Sequence, residues 1–201
     1  FIILGLLYSL PAFKAFEWLP WSQGSGAGLG IGIVAAVLSL MVVAYPGFLL
    51  GVVKGIPFWN TPTLPPLFFV SGLDTGIAAL VLIALFFQSS FGTDGFHLLG
   101  IGDIALIILL LIILGAYIEI ARQSSVTSAT SVRLLKTPLF IIGFLIVGII
   151  IPLVLLIYSI FVADAVVIRT LAGINGVFLL AGGLFLRYSI IRAGVPITFM
   201  E

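Results

Sequence analysis

Ala44-Tyr45-Pro46-Gly47-Phe48-Leu49-Leu50-Gly51, running on through Lys54-Gly55-Ile56-Pro57-Phe58-Trp59-Asn60, sets a phenol, a proline and an ammonium group inside an otherwise uninterrupted apolar run. About 20 such residues cross a bilayer core of roughly 30 Å, so these groups sit at membrane depth. Pro46 cannot donate to the carbonyl of Val42 and disfavours helical geometry at Tyr45. The expectation is a helix break at Pro46 and Gly47 that opens the helix where the phenol sits. Backbone groups freed in a bilayer must be satisfied by protein or water, so an interruption of this kind is buried in protein or lines a cavity. This stretch is the first place to look for a ligand.

Outward from it, the sequence stays apolar. Of 201 residues, 62% are hydrophobic and 7% charged, with a mean hydropathy of +1.41, against about 25% charged residues in an ordinary soluble domain. The composition is that of an integral membrane protein. Five apolar segments, each bounded by polar, Gly or Pro residues, cover residues 27–53, 64–87, 98–121, 138–161 and 166–191, and most are long enough to span. Short connectors make consecutive helices antiparallel neighbours. The expected fold is an all-α integral membrane protein, an up-down transmembrane helix bundle forming one domain over residues 1–201. Residues 1–10 make only half a span and carry no basic segment of a signal peptide, so they read as a partial helix in a sequence that starts internally.

Charge is sparse but uneven. Lys54, Arg122, Arg133, Lys136, Arg187 and Arg192 fall on one side of this topology, and only Lys14 and Arg169 on the other. The basic bias points the first side to the cytoplasm, and a basic face also suits an acidic docking partner. A net charge of +1 gives no footprint for nucleic acid. With no cysteine and His97 as the single histidine, these residues cannot hold an iron–sulfur cluster or a two-histidine haem, and a three-ligand catalytic zinc site is disfavoured. Gly28 with Gly32, Gly72 with Gly76, and Gly173 with Gly176 are spaced for close helix packing.

Tyr45-Pro46-Gly47 followed by Pro57-Phe58-Trp59-Asn60 resembles the fourth helix of the NrfD/PsrC-type membrane subunits of polysulfide reductases, whose Tyr-Pro-Gly turn precedes a Pro-Leu/Phe-Trp-Asn segment. The stretch Leu64-Pro65-Pro66-Leu67-Phe68-Phe69-Val70-Ser71-Gly72-Leu73-Asp74-Thr75-Gly76 resembles the start of that family's fifth helix. Gly183-Leu184-Phe185-Leu186-Arg187-Tyr188 with Arg192-Ala193-Gly194 resembles its last helix and tail. On this resemblance the sequence runs from the end of the third helix through the eighth of an eight-helix subunit. The first family helix, which contributes polar residues to the quinone pocket, would lie outside it.

The resemblance implies a membrane subunit of the prokaryotic inner membrane without haem, cluster or metal of its own. Such a subunit binds a quinone, menaquinone or ubiquinone, as substrate. It sits beside a ferredoxin-like iron–sulfur subunit that connects it to a molybdopterin catalytic subunit in anaerobic electron transport. Tyr45 then takes the family position that hydrogen-bonds a quinone carbonyl; its alternative is an interfacial tyrosine beside a packing kink. Lys54, two turns on, stabilises negative charge on the reduced quinone or simply snorkels at a helix end.

Asp74 falls near the middle of its span, where an acid costs about 2.5 to 3.5 kcal/mol on insertion scales, so it should face the bundle interior or water. There it either binds quinol and relays its proton or pairs across helices, with Arg187 as the candidate partner. Glu119 is a second candidate for proton transfer and sits three residues from Arg122, close enough for a helical ion pair. Asp103 and Asp164, with His97 near Asp103, lie toward the opposite face and could continue a proton path; Asp103 is expected in the first turn of its helix, where the dipole favours an anion. Arg122, Arg133 and Lys136, in and beside a polar loop over residues 123–137, form the candidate docking face for the iron–sulfur partner. Two other classes compete: a secondary transporter with a broken-helix substrate site, and a structural anchor without quinone chemistry.

Overall fold

The computed structural model describes residues 2–12, 25–86 and 92–196, and among these it contains helices and no strand. Lys14 lies outside the described residues, as do residues 88–91 of the expected connector. The protein divides into two compact units, residues 1–45 and 46–201, with the boundary at the Tyr45-Pro46 bond.

The first unit holds α1 (Ile2–Ser9), a single tight turn (Leu10–Ala12) and most of α2 (Gly26–Gly51). Ser25 begins α2 by accepting the Gly28 N–H at 3.1 Å, which satisfies one of the donors a helix start leaves free. The Tyr8 ring lies over Gly32, where an added Cβ would come within 2.8 Å of a ring carbon.

The break expected at Pro46 and Gly47 is not where the helix ends. α2 continues through Pro46 to Gly51 and tightens there, Val52 N–H reaching Phe48 O and Val53 N–H reaching Leu50 O. One missing donor is tolerated in a membrane helix because local adjustment re-satisfies the freed carbonyl. Gly47 serves packing instead: a Cβ there would lie 2.6 Å from the Pro65 Cα, so only glycine allows the last turn of α2 to touch the start of the next helix.

The second unit adds α3 (Leu64–Phe86), α4 (Thr93–Ser124), α5 (Val126–Leu135), α6 (Leu139–Ile160) and α7 (Ala165–Ala193). Contacts fix the directions. Gly173 meets Leu85 while Gly183 meets Thr75, and Gly143 meets Phe185 while Gly148 meets Gly182, so α7 runs antiparallel to both α3 and α6. Gly102 faces Ile77 and the Tyr117 hydroxyl reaches Phe58, which makes α4 antiparallel to α3. Among the described residues, five helices are long and apolar enough to cross a membrane. The fold is an all-α membrane helix bundle, up-down within this unit.

Residues 139–150 of α6 are wound as a π-helix that passes into an α-helix at Ile151, beside Pro152, which has no N–H to give. The α6–α7 crossing needs two glycines face to face, since a Cβ on Gly148 would lie 2.5 Å from the Gly182 Cα. The core joins Phe58, Leu67, Ile107, Tyr117, Phe144 and Ile190, while Ile112, Ile142, Val154 and Leu184 remain exposed, as the lipid-facing side of a membrane bundle requires.

Two boundaries differ from expectation. Most of the polar loop over residues 123–137 is helix α5, opened by Ser125, which accepts the Ser128 N–H at 3.1 Å. Ser128, Ser131, Val132 and Leu135 are its buried residues, a helical spacing that small hydroxyl residues hide from a hydropathy reading. α4 begins at Thr93 rather than residue 98, so Asp103 stands about 15 Å along the helix rather than in its first turn.

Candidate functional site

Three spans of the second unit each turn a carboxyl or carboxamide side chain into its interior. Asp74 from α3, Asp103 from α4 and Asn175 from α7 are 4%, 2% and 3% exposed. Asp74 Oδ1, Asp103 Oδ1 and Asn175 Oδ1 have no hydrogen-bond partner among the described residues. Buried polar atoms are almost always satisfied, so these unbonded carboxyl and carboxamide oxygens are open to water, protons or a ligand.

Their depth follows from the helix directions. Asp74 is ten residues into α3 from one end, and Asp103 ten residues into α4 from the other, about 15 Å in each case. The nearby Ile77–Gly102 contact holds them level near the middle of the bundle. Beside Asp103 lies a cavity of about 20 Å³ walled by Gly100, Leu156 and Asn175. A second, also about 20 Å³, shares Phe96, Leu156, Ala172 and Asn175 with the first and extends to His97 and Ser159. Each is large enough for one water molecule, which needs about 10–15 Å³. The polar groups that line these cavities thus lead from Asp103 past Asn175 to His97, toward the end of the bundle where α4 starts and α6 finishes.

The other candidates take different places. Arg187 does not pair with Asp74; its Nη2 donates to Thr75 Oγ1 at 3.4 Å, the neighbouring hydroxyl one residue on. The partner found for Glu119 is Gln123, one helical turn away, rather than Arg122, and Glu119 is exposed and apart from the interior acids. Asp164 caps α7 by accepting the Val166 N–H at 2.8 Å. Lys54 is exposed in the turns after α2, and Arg122, Arg133 and Lys136 are exposed at the end of the bundle where α4 and α5 finish. Tyr45, the last residue of the first unit, is 60% exposed on α2.

Within the second unit, the segment after α2 acts as a clamp. The Trp59 indole donates to Ile190 O at 3.0 Å, and Tyr117 donates to Phe58 O at 2.9 Å. Gly194 lies against the Trp59 ring, where an added Cβ would come within 2.5 Å. Asn175 and Tyr117 escaped the sequence reading, though Asn175 is a lone polar group in an apolar run, which was the signal available. Among the described residues, no three His, Asp or Glu side chains converge as metal ligands would.

The sequence matches the family model described as polysulphide reductase, NrfD, over residues 11–198. It is 34% identical over 172 residues to the C subunit of polysulfide reductase from Wolinella succinogenes, an alignment covering 81% of this protein and 52% of that one. With a protein NrfD homolog of Haemophilus influenzae it shares 30% identity over 168 residues, 81% of this protein and 51% of the relative. Protein NrfD of Escherichia coli K12 is 46% identical over 56 residues, 28% of this protein and 17% of its own length. The sequence spans about half the length of the first and second of these relatives. No solved structure gives a significant match. With the family model covering residues 11–198 and five helices fit to cross a bilayer, this protein belongs to the NrfD family of multi-pass membrane proteins.

Proposed function

We propose that this protein is part of a quinone-reactive membrane subunit of a respiratory oxidoreductase, passing electrons between the quinone pool and an iron–sulfur partner wired to a molybdopterin catalytic subunit. The observation that carries this reading is the alignment with the polysulfide reductase C subunit, a protein whose name makes it one component of a reductase. A quinone, menaquinone or ubiquinone, exchanges two electrons and two protons per turnover, and those protons need donors and acceptors in the protein.

In this account the exposed Tyr45 hydroxyl donates to a ring carbonyl and Lys54 stabilises negative charge on the reduced ring. Asp74 and Asp103 hold and pass protons inside the second unit. Their unbonded oxygens and the two water-sized cavities beside Asn175 support a route that opens at His97, opposite the basic end. Glu119 and Asp164, both exposed, serve at most as surface relays at the two ends. Arg122, Arg133 and Lys136 dock the iron–sulfur subunit, and the basic bias puts that face on the cytoplasmic side of a prokaryotic inner membrane.

The test is to purify the native complex and analyse its metals and quinone. Iron, molybdenum or tungsten, and bound quinone co-purifying with this protein are expected. A metal-free protein that is intact without partners would overturn the reading in favour of a transporter.

A further inference from the structure

At the end of the second unit where α5 passes into α6, the connection stands off from the last turns of α7 and leaves a pocket of about 400 Å³. Thr137, Pro138 and Leu139 form one wall; Tyr188, Ser189 and Arg192 form the other. Every polar side chain on these walls can donate a hydrogen bond, and no carboxylate lines them. Ser189 is 4% exposed and its Oγ has no hydrogen-bond partner among the described residues. The exposed Arg192 guanidinium lies 6.0 Å from the centre of the Tyr188 ring, within cation–π range, which steadies its charge at the mouth. A guanidinium among three hydroxyls is a receptor for a phosphate-like anion.

Position and size narrow the ligand. Tyr188 and Arg192 occupy the last two turns of a membrane-crossing helix, the level of the headgroups, where aromatic and basic side chains anchor spans. Below the pocket, one turn down each wall, Ile142 and Leu184 are 56% and 66% exposed and offer an apolar track. The volume suits a headgroup and is small for a whole lipid; ligand pockets run from about 300 to 1,000 Å³. Basic pockets between spans are where anionic headgroups bind.

We propose that this pocket holds the phosphate headgroup of an anionic membrane phospholipid. Arg192 meets the phosphate, and the Ser189, Thr137 and Tyr188 hydroxyls complete its shell. The acyl tails lie along Ile142 and Leu184. The ligand bridges α7 to the α5–α6 connection that carries Lys136, and the site stands whether or not Tyr45 meets a quinone.

The native complex, stripped of lipid in neutral detergent, is resupplied with phosphatidylglycerol or phosphatidylcholine, with and without excess inorganic phosphate, and bound lipid is counted by native mass spectrometry. Phosphatidylglycerol is expected to be retained about fivefold better, unaffected by inorganic phosphate. Arg192→Gln abolishes that preference and Ser189→Ala weakens it, while Arg169→Gln, exposed at the other end of α7, leaves it in place. Equal retention of the two lipids, or a preference that survives both pocket substitutions, would overturn the proposal. Displacement by inorganic phosphate would overturn it too, marking a site for the free anion. Ser189→Ala removes one oxygen only, so it keeps the test decisive if Arg192→Gln fails to assemble.

Discussion

The Tyr117 hydroxyl donates to the Phe58 carbonyl at 2.9 Å across 59 residues of sequence, and the two rings pack 5.2 Å apart. Both residues are fully buried, so this bond ties the turns after α2 to the inside of α4 without help from water. Tyr117→Phe keeps the ring contact and strands one buried carbonyl, a loss of about 1–3 kcal/mol. Thermal unfolding in detergent should show a lower midpoint for this variant with helix content unchanged, and an unchanged midpoint would mean the bond contributes nothing.

Close glycine packing gives a second expectation. Gly148→Ala pushes a methyl into the backbone of Gly182, an overpacking that costs about 1–3 kcal/mol. Gly115 has no atom within 4 Å of an added Cβ, so Gly115→Ala should be neutral or stabilising by about 0.5–1 kcal/mol, the ordinary helix preference for alanine. Comparing the two in one unfolding assay separates the α6–α7 crossing from a general effect of glycine replacement.

Proton delivery should depend on the interior row. Asp103→Asn removes an acid–base group, and Asn175→Leu fills the junction of the two cavities with an apolar group. Quinone-linked proton uptake by the complex in vesicles should fall at least about tenfold in each, the low end of what positioned acid–base groups contribute. Glu119→Gln, on the exposed face, should leave it unchanged. Full uptake in the Asp103 and Asn175 variants would contradict the route.

The proposed docking of an iron–sulfur partner on Arg133 and Lys136 makes a salt-dependent prediction. Reversing two exposed charges, Arg133→Glu with Lys136→Glu, should release the iron–sulfur partner at lower ionic strength than the unaltered complex, because like charge is then brought against an acidic surface and exposed charges are screened over about 8–10 Å. Co-purification across a salt series reads this directly, and retention identical to the unaltered complex would remove these residues from the interface.

Much of this fold was legible in the sequence because hydropathy over 20 or more residues integrates many side chains. The five spans lie where the apolar runs do, and Asp74 faces the interior because an acid in mid-span has nowhere else to go. What was not legible depended on single atoms or on residues that hydropathy weighs lightly. α5 hides its buried stripe in Ser128 and Ser131. Pro46 predicts a missing hydrogen bond but not whether the helix stops, and here it does not. The depth of Asp103 hinged on where α4 starts, five residues before the apolar run begins. Asn175 gains meaning only from two cavities that four helices enclose together, which no spacing along one helix reveals.

The most direct test of the central claim is quinol turnover by the native complex carrying Tyr45→Phe, measured beside the unaltered complex with subunit and metal content checked in both. The substitution removes one hydroxyl from an exposed residue and leaves packing alone. If Tyr45 hydrogen-bonds the quinone in the step that limits turnover, the rate falls by about tenfold or more, the cost of roughly 1.4 kcal/mol in the barrier, while the complex stays assembled. Unchanged turnover in an intact complex would contradict the claim and leave this protein as a membrane anchor.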